Sequence, residues 1–120
     1  MKTNSTLKIA VGVIIVFALA VGVALWDIDK SIDMNIRIAQ KAHPVESDDV
    51  ASLIAYVNSP KHTLIEKNHM VWTLGRIGDG RAVDTLKSHF TGVKCKHVQD
   101  LCQKELKRAI ELCGGFQKLS

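Results

Sequence analysis

Aromatic residues are scarce in this 120-residue chain: two tryptophans, three phenylalanines and one tyrosine, or 5% of the total. So few rings supply no stacking platform for single-stranded nucleic acid. A glycine-rich phosphate loop, a nucleophile elbow and a metalloprotease helix are all missing. No paired carboxylates with a pocket around them can be picked out. No alternating apolar stretch is long enough for a strand, which excludes a β fold. With two prolines, eight glycines, 47% hydrophobic and 23% charged residues, the chain is neither disordered nor collagen-like. These absences point away from an enzyme and from a bound cofactor.

What is present is unevenly distributed. Residues 9–26 form 18 consecutive positions without a charge or a polar side chain, flanked by Lys8 and by Trp26-Asp27. A helix of that length is about 27 Å long, close to the hydrocarbon thickness of a bilayer. Trp26 has the amphipathic ring that favours the headgroup level, and Asp27, Asp29 and Lys30 end the run. A cleaved secretory signal is the rival reading, with Ala18-Leu19-Ala20 or Gly22-Val23-Ala24 as its cleavage motif. The run exceeds the usual length of a signal core, which favours a retained single-pass anchor. No cysteine lies near its end, so a lipid-anchored lipoprotein is excluded. Lys2 and Lys8 stand before the run and Lys30, Arg37 and Lys41 after it, a count too even to orient the helix. The short tail reads like an uncleaved signal. On that reading the rest is expected on the extracytoplasmic side of a bacterial-type cytoplasmic (inner) membrane. Ala18 with Gly22, and Ala20 with Ala24, have the small-residue spacing that lets two helices approach, so a homo-oligomer stays open.

Three regions follow: a tail and transmembrane anchor at 1–26, an amphipathic helix or linker at 27–46, and a soluble domain at 47–120. Ile28, Ile32, Ile36 and Ala39 fall at helical spacing, and His43-Pro44 ends that stretch. This stripe is expected to cap the following domain. Ser47-Asp48-Asp49 opens a second helix with Val50, Leu53, Ile54 and Val57 inward, closed by Asn58-Ser59-Pro60. A third is predicted from about His62 to Ile77, burying Leu64, Ile65, Val71, Leu74 and Ile77. After the turn Gly78-Asp79-Gly80, a fourth spans about Arg81–Phe90 around Ala82, Val83, Leu86 and Phe90. The fifth, about His97–Cys113, has its stripe at Val98, Cys102, Leu106, Ala109 and Cys113, and Gly114-Gly115 stops it. The soluble part reads as all-α.

Leu53 and Leu86 are 33 residues apart, and Gly78-Asp79 and Gly114-Gly115 stand roughly one such period apart, as in stacked helical hairpins. The segment from Val71 through Trp72, Thr73, Leu74, Gly75, Arg76, Ile77, Gly78, Asp79, Gly80, Arg81, Ala82, Val83, Asp84 and Thr85 to Leu86 resembles the junction of the short bacterial HEAT-like (PBS-lyase-type) repeats. Those carry an Ala-Leu-Gly-x-Ile-Gly-Asp segment closing one helix and Arg-Ala-Val opening the next. Here Thr73 replaces the usual alanine, and Gly80 and Asp84 stand where prolines are frequent. The resemblance covers about 16 residues and implies a small α-solenoid of about two hairpins. Within it Trp72, Leu74, Gly75, Ile77, Gly78, Asp79, Arg81, Ala82, Val83 and Leu86 would have structural roles. Gly75 would let neighbouring helices approach, Gly78 would permit a left-handed exit and Asp79 would cap the next helix. The resemblance implies a protein-binding scaffold with no chemistry of its own, and the anchor makes a membrane-associated partner the expectation.

Three cysteines fall in the last quarter: Cys95, Cys102 and Cys113. A closed zinc site requires four ligands, yet Cys102 and Cys113 are eleven residues apart on the expected helix, about 16 Å along its axis, so no metal is assigned. A disulfide between Cys95 and Cys102 requires the 92–96 loop to fold back, and it persists only outside a reducing compartment. The other reading makes Cys102 and Cys113 small buried hydrophobes. Both stay open. A redox-active or metal-binding protein using Cys95, His97 and Cys102 is therefore the alternative to the scaffold. His62 and His69 lie about 10 Å apart on one face, too far for joint ligation. Residues 27–50 hold six acids and three bases, and 61–120 hold eleven bases and six acids. The bases are interspersed with acids, which argues for a solvated surface and against a nucleic-acid partner.

Overall fold

The computed structural model describes residues 2–44, 48–95 and 100–116. Among these, all regular structure is helical: α1 (Lys2–Ala42), α2 (Asp49–Asn58), α3 (Leu64–Ile77), a 3₁₀ turn (Gly80–Ala82), α4 (Val83–His89) and α5 (Gln103–Leu112). The chain forms two compact units, Met1–Ser31 and Ile32–Ser120.

The first unit is the N-terminal part of α1. Its large apolar side chains from Leu7 to Trp26 are exposed. The helix is long and apolar enough to cross a membrane: its most apolar 18-residue window has a mean hydropathy of 2.8, and none of that window is buried. Helical geometry closes every backbone hydrogen bond within the segment, which is the condition for stability in hydrocarbon. Where the run ends, the Lys30 ammonium stands 3.9 Å from the centre of the Trp26 ring, and the Ser31 hydroxyl donates to the Asp27 carbonyl at 2.9 Å.

In the second unit, residues 32–42 continue as helix and add Ala39 to the core, with Ile36 packed against it. Ile32 is half-buried, while Ile28 belongs to the first unit. The capping stripe thus reaches the core through two residues rather than four. Asp48 caps α2 by accepting from the Ala51 amide. Thr63 and Glu66 form a reciprocal capping box at the start of α3, which therefore begins at Leu64, two residues later than the periodicity suggests. Gly78 ends α3 in the left-handed conformation at φ 71°. Asp79 then accepts from the Arg81 amide at 2.9 Å, opening the 3₁₀ turn that precedes α4.

Helix α2 packs on α3, α4 packs on α5, and α3 packs on α5. Leu53, Val57, Met70, Val71, Leu74, Leu86, Leu106 and Ile110 fill the space between them with no exposed surface or nearly none. A methyl group built on Gly75 would lie 3.0 Å from the Ala109 Cα and 3.1 Å from its Cβ, so the glycine sets the closeness of α3 and α5. Two isoleucines expected inside are outside. Ile65 is 72% exposed, because it precedes Leu74 by nine residues, half a turn around the helix at about 100° per residue. Ile77 keeps the inward face but stands in the last position of α3 and is 37% exposed. Met70 and Thr73 are buried in their stead. The fifth helix also starts later than expected, at Gln103; His97 and Val98 lie outside the described residues.

Candidate functional site

The C-terminal cysteines separate into a pair and a singleton. Beyond α4 the chain turns at Gly92, φ 74°, and runs to Cys95. The buried side chain of Gln103 holds this loop: its carbonyl accepts from the Thr91 amide at 2.7 Å, and its amide group donates to the carbonyls of His89 and Leu101, each at 3.2 Å. On the other side, the Asn68 carbonyl oxygen on α3 accepts from the Cys102 amide at 3.0 Å. That bond fixes Cys102 in extended geometry as the residue preceding α5. The two constraints bring the Cys95 and Cys102 sulfurs to 3.5 Å, both as free thiols and both half-buried.

The pair is asymmetric. The Lys104 amide, one of the unpaired N–H groups of the first turn of α5, donates to the Cys95 sulfur at 3.4 Å. That hydrogen bond, followed by the contact with the Cys102 thiol, holds the Cys95 thiol below its ordinary range. A thiolate is the reactive form of cysteine, and helix N-termini favour it. Cys113 is in the opposite situation. It is buried, its thiol donates to the Leu74 carbonyl at 3.5 Å, and burial followed by the charge of Asp79 pushes it up. It is a small core residue.

Cys95 opens onto a shallow pocket of about 350 Å³, with Phe90 and Val93 as apolar lining and Lys94, Lys104 and Lys107 around it. Cys102 does not line this pocket. Among the described residues, no group of three or more His, Cys, Asp or Glu side chains is arranged to hold a metal ion. His97, the third member of the Cys95/His97/Cys102 set, lies outside the described residues.

The residues of the segment resembling a repeat junction surround the opposite end of α3. Leu74 is fully buried, Trp72 is half-buried with the Arg76 guanidinium 5.5 Å from its ring, and Ala82 and Leu86 join the core, with Val83 packed against it. Arg81 bonds Asp79 at 2.9 Å and Asp48 at 2.6 Å, tying the cap of α2 to the turn after α3. Both carboxylates are held below their ordinary range. For Asp48 the first cause is the Ala51 amide and then Arg81, and for Asp79 it is the Arg81 side chain.

A histidine cluster is not visible in the sequence. The His43 and His62 Nε2 atoms are 3.0 Å apart, and Tyr56 stacks on His62 at 3.6 Å between ring centres. Partial burial, then the neighbouring His43, lowers His62 below the ordinary imidazole value, with Glu66 opposing. The lysines beside Cys95 and the anchoring roles of Asn68 and Gln103 also escape a reading of the sequence. One signal is legible: Gln103 lies three residues before Leu106, on the apolar stripe, where a polar side chain is exceptional.

No family model, curated protein or solved structure matches this chain.

Proposed function

We propose that this protein is a single-pass, membrane-anchored helical domain whose Cys95 and Cys102 cycle between a dithiol and an intramolecular disulfide. The observation that carries this reading is the 3.5 Å sulfur separation, together with the helix amide directed at Cys95. A disulfide requires sulfurs at about 2.05 Å, and the two thiols already stand in contact. The anchor is the N-terminal part of α1, whose most apolar 18-residue window is not buried by the described residues. On an extracytoplasmic side the pair would rest oxidised; in a reducing compartment it would rest as thiols.

The test is thiol counting on the purified full chain. Equilibration against graded ratios of oxidised and reduced dithiothreitol, followed by alkylation and peptide mapping, should reveal one two-electron transition. It should join Cys95 to Cys102 and leave Cys113 as a thiol. Both cysteines remaining alkylatable at the most oxidising ratio would refute the reading.

The resemblance to HEAT-like repeats supports a second reading, an interaction scaffold of two stacked hairpins for a membrane-associated protein. It is favoured by the packing of α2 on α3, α4 on α5 and α3 on α5, with Gly75 at the closest approach. Substituting Gly75 would then abolish partner capture from solubilised membranes, whereas Cys95→Ser and Cys102→Ser would not.

A further inference from the structure

We infer that the pocket beside Cys95 receives a small anionic disulfide, that Cys95 attacks it and that Cys102 completes the exchange; this rests on the dithiol reading above. Three features of the site carry the assignment. The first is access. Cys95 lines the pocket and Cys102 does not, so a disulfide seated in the pocket lies against Cys95 rather than Cys102. The second is charge: Lys94, Lys104 and Lys107 line the same pocket, and none of the described lining residues is acidic. The third is size and surface. At about 350 Å³, with Phe90 and Val93 exposing apolar area, the pocket is scaled to a low-molecular-weight ligand with a thioalkyl centre and charged ends. The lowered thiol of Cys95 agrees with its role as the attacking group.

The chemistry balances without a metal or a bound cofactor. The Cys95 thiolate attacks one sulfur of the incoming disulfide, forming a mixed disulfide, and the second sulfur departs as a thiolate that takes a proton from water. Cys102, 3.5 Å away, then loses its proton to solvent and attacks the Cys95 sulfur. The Cys95–Cys102 bond forms, and the remaining half of the ligand leaves as its thiol. Two electrons pass from the protein to the ligand, and one disulfide is exchanged for two thiols. The Lys104 amide, already directed at the Cys95 sulfur, stabilises the anion at the start of the first step and would favour Cys95 as leaving group when the reaction runs in reverse.

The experiment uses the reduced full chain in non-ionic detergent with three oxidants: glutathione disulfide (anionic), hydroxyethyl disulfide (neutral) and cystamine (cationic). Each rate is divided by that oxidant's rate with 2-mercaptoethanol at the same pH, which removes intrinsic reactivity. The expected result is a normalised rate about tenfold higher for glutathione disulfide than for cystamine, at the lower end of electrostatic steering. That ratio should shrink as salt is raised. In Lys94→Gln/Lys104→Gln/Lys107→Gln, which alters exposed side chains only, it should fall to near one. Cys102→Ser should accumulate a glutathione adduct on Cys95. A ratio near one in the wild-type chain, with the Cys95–Cys102 bond still forming, would overturn the anionic-ligand assignment and leave the dithiol reading standing. An adduct forming on Cys102 of Cys95→Ser at the wild-type rate would overturn the order of attack. Failure of all three oxidants to close the pair would refute the dithiol reading itself.

Discussion

Replacing Thr73 by valine removes one oxygen and almost no volume, yet it should weaken the soluble unit measurably. Thr73 is fully buried on α3 and Asn35 is 7% exposed near the end of α1. The Asn35 amide donates to the Thr73 hydroxyl at 2.8 Å, and that hydroxyl donates to the His69 carbonyl at 2.8 Å. Valine keeps the packing and leaves the Asn35 amide buried without its acceptor, a loss of about 1–3 kcal/mol. Losing the bond to His69 costs little, because that carbonyl is part of the helical ladder. For a domain of this size each kcal/mol corresponds to about 4–8 °C, so the melting temperature should fall by roughly 4–24 °C. Asn35→Leu should be milder, since Thr73 keeps His69 as its partner. The double variant Asn35→Leu/Thr73→Val should be more stable than Thr73→Val alone, with a coupling of about 1 kcal/mol, because it buries no unpaired amide. The assay is thermal and urea unfolding of the full chain in detergent, followed by circular dichroism and Trp72 fluorescence. Wild-type melting of Thr73→Val, or a double variant no better than Thr73→Val, would refute this account of how α1 is held to α3.

Stability should also fall on mild acidification. His62, lowered by burial and by His43, Lys67 and Lys61 against the opposing Glu66, and His89, lowered by burial and by Lys67, both favour the neutral ring when folded. Their contribution is fully present above the ordinary imidazole value of 6.5 and is lost as pH drops below it, so the melting temperature should decline from pH 7 to 5 and do so less in His62→Gln/His89→Gln. The lowered carboxylates of Asp48, Glu66 and Asp79 act in a separate window, below about pH 4, where their protonation begins to remove capping and pairing. Gly75→Ala should destabilise by about 1–3 kcal/mol in urea unfolding despite alanine's better helix propensity, because the new methyl meets the Ala109 backbone at 3.0 Å; equal or higher stability would show that α3 and α5 can separate freely. The intact chain should stay with membranes through alkaline carbonate extraction, and a mature N-terminus at Val21 or Leu25 would show instead that the run is a cleaved signal.

Features of this protein that depend on a few consecutive residues are legible in the amino-acid sequence alone. The uncharged run 9–26 forms one exposed apolar helix, because in such a segment composition and length act directly on the choice of surroundings. Asp48 caps α2, Gly78 turns out of α3 left-handed, and Leu53, Val57, Leu74, Leu86 and Leu106 are buried, since caps and 3.6-residue periodicity operate within a turn or two. Periodicity misjudges Ile65 and Ile77 because it orders residues around a helix without saying how wide the covered arc is or where the neighbouring helices end. Only the tertiary structure decides the rest. The bond from Asn35 to Thr73 crosses 38 residues, that from Asn68 to Cys102 crosses 34, and the contact of His43 with His62 crosses 19. The pairing of Cys95 with Cys102 is close in sequence, yet it too depends on Gln103 holding the loop and Asn68 on α3 holding the start of α5. A buried amide or carbonyl must find a partner somewhere, and which partner it meets is set by helix docking, a property of the whole packed core that no local window of residues contains.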